Sequence, residues 1–357
     1  MLIKFKRDID NSLAQFIRDT RKNYKLHYVS NTLFQGIQDF LVRDGKRIRP
    51  ILYLVSYLGY SSKKKINYTK LLRSSLALEL FHDFMLIHDD VIDKSALRRG
   101  KPTLHRVFNS KMNLPKNNLL GESLSIVAGD VVFALAIDSF LEIDEDLRRK
   151  QAALKKLVET AAYTGAGEFL DVTNAFVRIE DIKKSDVFIN YTYKTAKYTF
   201  ECPLLIGAIL SGMPKGELDK LSRLGINLGL AFQIQDDMLD IFSSSKAIGK
   251  PVLSDLIESK KTLLVWRAYN MADKADKARI KFILEKKNKT YEDLMNFREL
   301  IRKTKAHTYC IEKTFNIIKE ANQICSKLEI RDKYRIFISD FIHGLFTKTE
   351  KFQETIL

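Results

Sequence analysis

The chain has 357 residues, 60 Lys and Arg against 44 Asp and Glu, and 45% hydrophobic side chains, which is ample apolar content for a large buried core. With 15 glycines and 6 prolines, well under the usual share, it disfavours hairpin-rich sandwiches, propellers and glycine-looped dinucleotide folds, and three scattered cysteines (Cys202, Cys310, Cys325) exclude a disulfide scaffold or zinc cluster. A net charge of +16 points to an anionic partner without choosing among nucleic acid, an anionic membrane surface and a phosphorylated small molecule.

Apolar residues recur at helical spacing almost throughout. In chain order, helices are predicted over 2–25, 31–43, 48–60, 68–93, 120–142, 147–174, 184–211, 216–242, 256–270, 274–285, 290–303, 305–327 and 332–347. The breaks carry turn chemistry: SSKKK at 61–65, RRGKPT at 98–103, NLPKNN at 113–118, SGMPKG at 211–216 and SSSKAIGKP at 243–251. No hairpin signal such as Asn-Gly joins two strands. MLIKFKRDID has charges where a signal peptide needs its apolar stretch, and no uninterrupted apolar window reaches membrane length, so the expectation is a soluble cytoplasmic protein without stable membrane insertion. No long linker or repeat divides the chain, which predicts one all-α domain over 1–357 with its last ten residues, 348–357, frayed.

The most informative segment is ALELFHDFMLIHDDVIDKSALRRGKPTLH at 77–105. Asp89 and Asp93 lie one turn apart on one helical face, with Asp90 beside them. Such a cluster repels itself unless cations neutralise it, and oxygen ligands without a nearby thiol suit Mg²⁺. The spacing recurs in FQIQDDMLDIF as Asp236, Asp237 and Asp240. One triplet alone could be a solvated helix end. Two, each interrupting a strongly apolar helix where uncompensated charge is costly, suggest a Mg²⁺ clamp for one diphosphate.

Matching positive charge stands nearby in sequence. Arg98 and Arg99 follow the first cluster, DGKRIRP supplies Lys46, Arg47 and Arg49, YKTAK supplies Lys194 and Thr195, and Lys250 and Lys260 follow the second. Arginine forks grip phosphate bidentately and lysines add point charge. The Lys-rich stretches 63–65 and 286–289 are assigned to the surface.

Together these segments resemble the all-trans polyprenyl diphosphate synthases, the farnesyl and geranylgeranyl diphosphate synthase family. The matches run in family order: GKRIRP at 45–50, LIHDDVID with RRGKPT at 86–103, AGD at 128–130, GEFLD at 167–171, YKTA at 193–196, FQIQDDMLD at 232–240, then GKP with Asp255 and Lys260 through Thr262. The resemblance spans roughly residues 15–345. It implies an antiparallel helical bundle around a deep apolar cavity, with the two aspartate motifs facing across its mouth. Asp89, Asp90, Asp93, Asp236, Asp237 and Asp240 would hold three Mg²⁺ ions on an allylic diphosphate contacted by Arg98, Lys194 and Lys250. Isopentenyl diphosphate would occupy a metal-free basic pocket of Lys46, Arg49, His82 and Arg99. Thr195 and Gln233 would line the cleft near the reacting carbons, and Asp255 and Lys260 would stand near the second metal cluster. The resemblance also implies a homodimer.

Three positions depart from the family pattern: Asp44 and Leu253 stand where glycine is common, and Glu168 replaces a usual Gln. Asp44 would put an acid beside the isopentenyl diphosphate pocket. Product length is read beneath the first cluster, where Phe84 and Met85 lie about 6–7.5 Å below Asp89 and Phe81 about 12 Å below at 1.5 Å per residue. Phe84 beside the flexible Met85, with no insertion in DDVID, looks like enzymes that stop at twenty carbons, so geranylgeranyl diphosphate is the expected product, ahead of farnesyl or longer diphosphates. A non-catalytic synthase subunit would be expected to lose ligands, a terpene cyclase would lack the second DDMLD and GKRIRP, and a nucleic-acid binder is suggested by net charge alone.

Overall fold

The computed structural model describes residues 1–112, 119–242 and 254–356, and these are helical nearly throughout. The all-α expectation holds. Backbone contacts divide the chain into two compact units, Met1–Leu154 with Leu210–Gly212, and Lys155–Ile209 with Met213–Leu357.

The first unit comprises α1 (Leu2–Tyr24), α2 (Leu26–Val29), α3 (Asn31–Leu41), α4 (Ile48–Tyr60), α5 (Tyr68–Ile92), α6 (Leu104–Lys111), α7 (Leu120–Leu141) and the start of α8 (Leu147–Phe176). On α1 the spacing of Phe5, Ile9, Leu13, Phe16 and Ile17 buries a single face. By contrast α4 is buried almost all round. Asn67 starts α5 by accepting the Lys70 amide at 3.1 Å. Antiparallel packing of α5 on α7 follows from their cross-ties: His88 reaches the Ile126 carbonyl, and Ser139 Oγ donates to the Arg73 carbonyl. Among the described residues only α7 is long and apolar enough to cross a membrane; its apolar run is interrupted by Asp130 and Asp138, and it packs along α5.

Two strands of two residues, β1 (Leu97–Arg98) and β2 (Lys101–Pro102), form a hairpin that the sequence reading lacked. Its turn residues Arg99 and Gly100 have φ of 55° and 73°, the left-handed pair that a two-residue hairpin requires. Arg replaces the usual Asn or Asp there, which hid the signal.

The second unit holds most of α8, α9 (Lys184–Asn190), a π-helix (Tyr191–Glu201), α10 (Cys202–Leu210), α11 (Lys215–Phe242), α12 (Ser254–Ile257), α13 (Leu263–Met271), α14 (Lys274–Glu285), α15 (Tyr291–Lys303), α16 (Ala306–Cys325) and α17 (Asp332–Ile356). At its centre α11 packs against the π-helix and α16. Three glycines let α11 and α8 approach the π-helix closely. A Cβ on Gly229 would lie 2.3 Å from Ala196 Cα, one on Gly225 2.5 Å from Glu201 Cα, and one on Gly167 of α8 2.4 Å from the Lys194 nitrogen. The tail expected to fray is instead helical through Ile356. Gln235, fully buried on α11, donates to the Leu345 carbonyl and to Thr349 Oγ1.

Candidate functional site

In the first unit the aspartates occupy the C-terminal end of α5, with Asp93 as its cap. A helix C-terminus carries partial negative charge, so three carboxylates there need a cation. The hairpin supplies it. Arg98 Nε donates to Asp90 at 2.7 Å and its Nη2 to Asp89 at 2.8 Å, with Asp90 also 2.6 Å from Nη2. Burial opposes the Arg98 charge, but Asp89 and Asp90 more than offset it and hold its pKa above the ordinary arginine value. Thr103 Oγ1 donates to the Ser95 carbonyl at 2.8 Å and fixes the base of the hairpin. No group of three or more His, Cys, Asp or Glu among the described residues stands ready to hold an ion; Asp89 and Asp90 are gripped by an arginine that sequence reasoning assigned to substrate.

The basic residues at 43–49 and 99 gather on the same unit. Arg47 is buried, donating to Asp10 at 2.9 Å and Glu79 at 2.7 Å. Lys46 is exposed and Arg49 half-buried. His82 is driven well below the ordinary histidine pKa by burial and by Arg49, Arg99, Arg98 and Arg47, which keeps its imidazole neutral. The feared acid at Asp44 turns outward: its side chain is 90% exposed and pairs with Lys6 at 2.7 Å.

Below Asp89, Phe81 is buried and Phe84 half-buried. Phe84 packs against Phe133 of α7 in a tilted pair at 5.0 Å between ring centres and edge-to-face against His88 at 4.7 Å, and Phe81 lies 5.9 Å from Phe84. Met85 is half-buried beside them. Phe133 is a neighbour of both rings that the sequence could not reveal, because nothing in it states which helix packs on α5.

In the second unit the aspartates of α11 have three different settings. Asp236 is exposed. Asp237 is buried, accepting from the Tyr191 hydroxyl and from Gln233 Nε2 at 2.8 Å. Asp240 accepts from the Ser254 amide and hydroxyl on one oxygen and the Asp255 amide on the other, at 2.8–3.1 Å. Thr195 Oγ1 donates to Gln233 Oε1 at 2.7 Å. Lys194 is drawn to Asp171 at 2.5 Å and Glu168 at 3.0 Å, and Lys260 to Glu258 at 2.7 Å, with Asp171 and Asp255 at 3.7 and 3.8 Å. Burial pushes Asp255 up to about 7, opposed by Lys260 and helped by Asp240 and Asp236. The π-helix carries both Lys194 and Thr195, a departure from α-helical spacing of a kind frequent at functional sites. Lys250 and Leu253 lie outside the described residues. Tyr191 and Arg298, which donates to the Ile241 carbonyl at 2.5 Å and caps the end of α11, were missed; a tyrosine and an arginine far along the chain give no motif signal.

The polyprenyl synthetase family model matches residues 31–301. A short chain isoprenyl diphosphate synthase of Methanocaldococcus jannaschii is 32% identical over 295 residues, 82% of this chain and 83% of that one. A geranylgeranyl diphosphate synthase of Sulfolobus acidocaldarius is 29% identical over 93% of this chain and 96% of its own. Among solved structures, a geranylgeranyl pyrophosphate synthase from Corynebacterium glutamicum, complexed with isoprenyl diphosphate and magnesium, has a TM-score of 0.86 at 25% identity and covers 99% of both chains.

Proposed function

Because the chain belongs to the polyprenyl synthetase family, we propose that it is a Mg²⁺-dependent trans-prenyltransferase. It joins isopentenyl diphosphate to an allylic diphosphate, releases diphosphate and makes geranylgeranyl diphosphate. The observation that carries this reading is the end of α5, where a buried arginine is needed to neutralise aspartates placed for a cation. The donors there and on α11 are all carboxylate oxygens, a set that fits Mg²⁺. Asp89, Asp90, Asp93, Asp236, Asp237 and Asp240 would hold the metal, with three ions on the bound diphosphate. Bound Mg²⁺ supplies charge stabilisation to the departing diphosphate.

The protein's own groups do the rest. Arg98 exchanges its carboxylate partners for diphosphate oxygens, joined by Lys194 and Lys250, as the allylic C–O bond breaks and its electron pair leaves with diphosphate. Lys46, Arg49 and Arg99, with neutral His82 as a hydrogen-bond donor, hold isopentenyl diphosphate so that its double bond forms the new C–C bond. Lys260 and Asp255 lie on the Asp240 side. A proton then leaves the adduct for the released diphosphate. Phe81, Phe84 and Met85, backed by Phe133, limit chain growth.

The test is product analysis with labelled isopentenyl diphosphate and dimethylallyl, geranyl or farnesyl diphosphate. A twenty-carbon product abolished by EDTA is expected, and Phe84→Ala and Phe133→Ala should each lengthen it. A wild-type product of fifteen carbons, or of well above twenty, would retain the enzyme class and overturn the floor assignment. No elongation from any primer would overturn the catalytic reading.

Homodimerisation is part of the same proposal. On α8, Val158, Ala162, Gly165, Phe169, Val172 and Phe176 are all exposed and alternate at spacings of four and three, the seam that a second helix packs against. Phe169 is 69% and Phe176 87% exposed, two large apolar side chains on the face that a partner helix would cover. Light scattering should give a dimer for wild type and a monomer for the Phe169→Glu, Phe176→Glu variant. Cytoplasmic residence belongs to the proposal too, and the three free buried thiols accord with a reducing compartment.

A further inference from the structure

Asp83 has no role in the mechanism above, yet its placement is costly. It lies inside the apolar run of α5, fully buried, and neither carboxylate oxygen accepts a hydrogen bond. An acid so placed costs several kcal/mol relative to water unless a nearby charge answers it. The answering charge is Arg99, whose Nη2 lies 3.7 Å away.

Arg99 itself is unusually constrained. Its backbone is left-handed in the hairpin turn, and its Nη1 makes only a long 3.4 Å bond to the Arg43 carbonyl. The Arg47 and Arg99 guanidiniums converge on Gly45, each 3.4 Å from where a Cβ would stand. Two like charges held this close repel unless anions lie beneath both. α5 provides one for each: Glu79 under Arg47 at 2.7 Å and, one turn later, Asp83 near Arg99.

We propose that Asp83 is a positioning residue for isopentenyl diphosphate, holding the Arg99 fork over the basic pocket against repulsion from Arg47. The proposal rests on the prenyltransferase reading and names the group that sets affinity for its second substrate. The charged and titratable groups around Asp83 are Glu79 and His82 on α5, Arg47 and Arg49 at the entry to α4, and Arg99 in the hairpin. Burial and then Glu79 push Asp83 up to about 8, with Arg99, Arg47 and Arg49 opposing. The ion pair with Arg99 is therefore completed as pH rises through that value.

The experiment is steady-state kinetics of full-length wild type, Asp83→Asn and Asp83→Leu, each also in an Arg99→Gln background, with Tm measured alongside. At pH 9, where Asp83 is ionised, the KM for isopentenyl diphosphate should rise about tenfold in either Asp83 variant, with the allylic KM and kcat within about twofold, because only one substrate's binding contact is disturbed. In the Arg99→Gln background neither substitution should add anything, since the two residues act as one unit. From pH 7 to 9 the wild-type KM relative to that of Asp83→Asn should fall. An unchanged or lower KM, an equal effect in both backgrounds, or failure of both variants to fold would overturn the proposal. Absence of wild-type turnover would instead overturn the prenyltransferase reading, and titration of metal-free wild type and Asp83→Asn with isopentenyl diphosphate would then test Asp83 directly.

Discussion

Arg98→Gln is expected to lose about 10²–10³-fold in kcat/KM, the scale of removing one preorganised charge at a departing group, and to unfold more easily. Arg98 is 6% exposed and Asp90 1%, so the substitution leaves a buried carboxylate without its guanidinium. Breaking one side of a buried pair costs about 3–5 kcal/mol. The two losses should separate under Mg²⁺. A divalent cation can replace the missing charge, so millimolar Mg²⁺ should raise the Tm of Arg98→Gln more than that of wild type, through preferential binding to the folded state. Activity should stay low, because the diphosphate still lacks its arginine. Equal Tm responses in the two proteins would show that Arg98 does not stand in for metal at Asp89 and Asp90.

Gly229→Ala should be the most damaging single-methyl change in the second unit. Its Cβ would meet Ala196 Cα at 2.3 Å, a backbone obstacle that no side-chain rotation relieves. Overpacking of this kind costs typically 1–3 kcal/mol and can exceed that where backbone must move. The displaced segment carries Thr195, whose 2.7 Å bond to Gln233 crosses the same contact, so kcat should fall along with Tm. Gly344→Ala on α17 is the control: no atom stands within 4 Å of its Cβ, and alanine should add roughly 0.5–1 kcal/mol of helix stability. If both variants behave alike in thermal unfolding, close packing at Gly229 is not what fixes the π-helix.

The parts of the site legible in the sequence are those written locally. Two DDxxD triplets, GKRIRP and the Phe81–Phe84 spacing all lie within a few turns of one helix or its approach, where periodicity converts directly into geometry. What escaped depends on partners distant in sequence. Nothing local says that Arg98 folds back onto Asp89 and Asp90, that Phe133 backs Phe84, or that Tyr191 covers Asp237. α6 was missed because eight residues barely express a period, and the hairpin because arginine occupies its left-handed turn. Asp83 was hidden by its company: within LELFHDFMLI it reads as an interruption of core, and only the convergence of Arg47 and Arg99 gives it a purpose. The tail misled in the opposite direction, since its charged sequence gives no hint that Thr349 is buried against Gln235.

That last contact has a consequence for how the protein is made. Synthesis runs from the amino end, and chain segments generally fold as units while it proceeds. The first unit lacks only Leu210–Gly212 once residue 154 has been added, so its arginines and aspartates can pair on the ribosome. Gln235 is made later, and its partners Leu345 and Thr349 follow it by more than a hundred residues. Until they emerge, the nascent chain carries an unmet amide on the helix of the second aspartate triplet, and chaperone capture of stalled chains should be greatest in that interval.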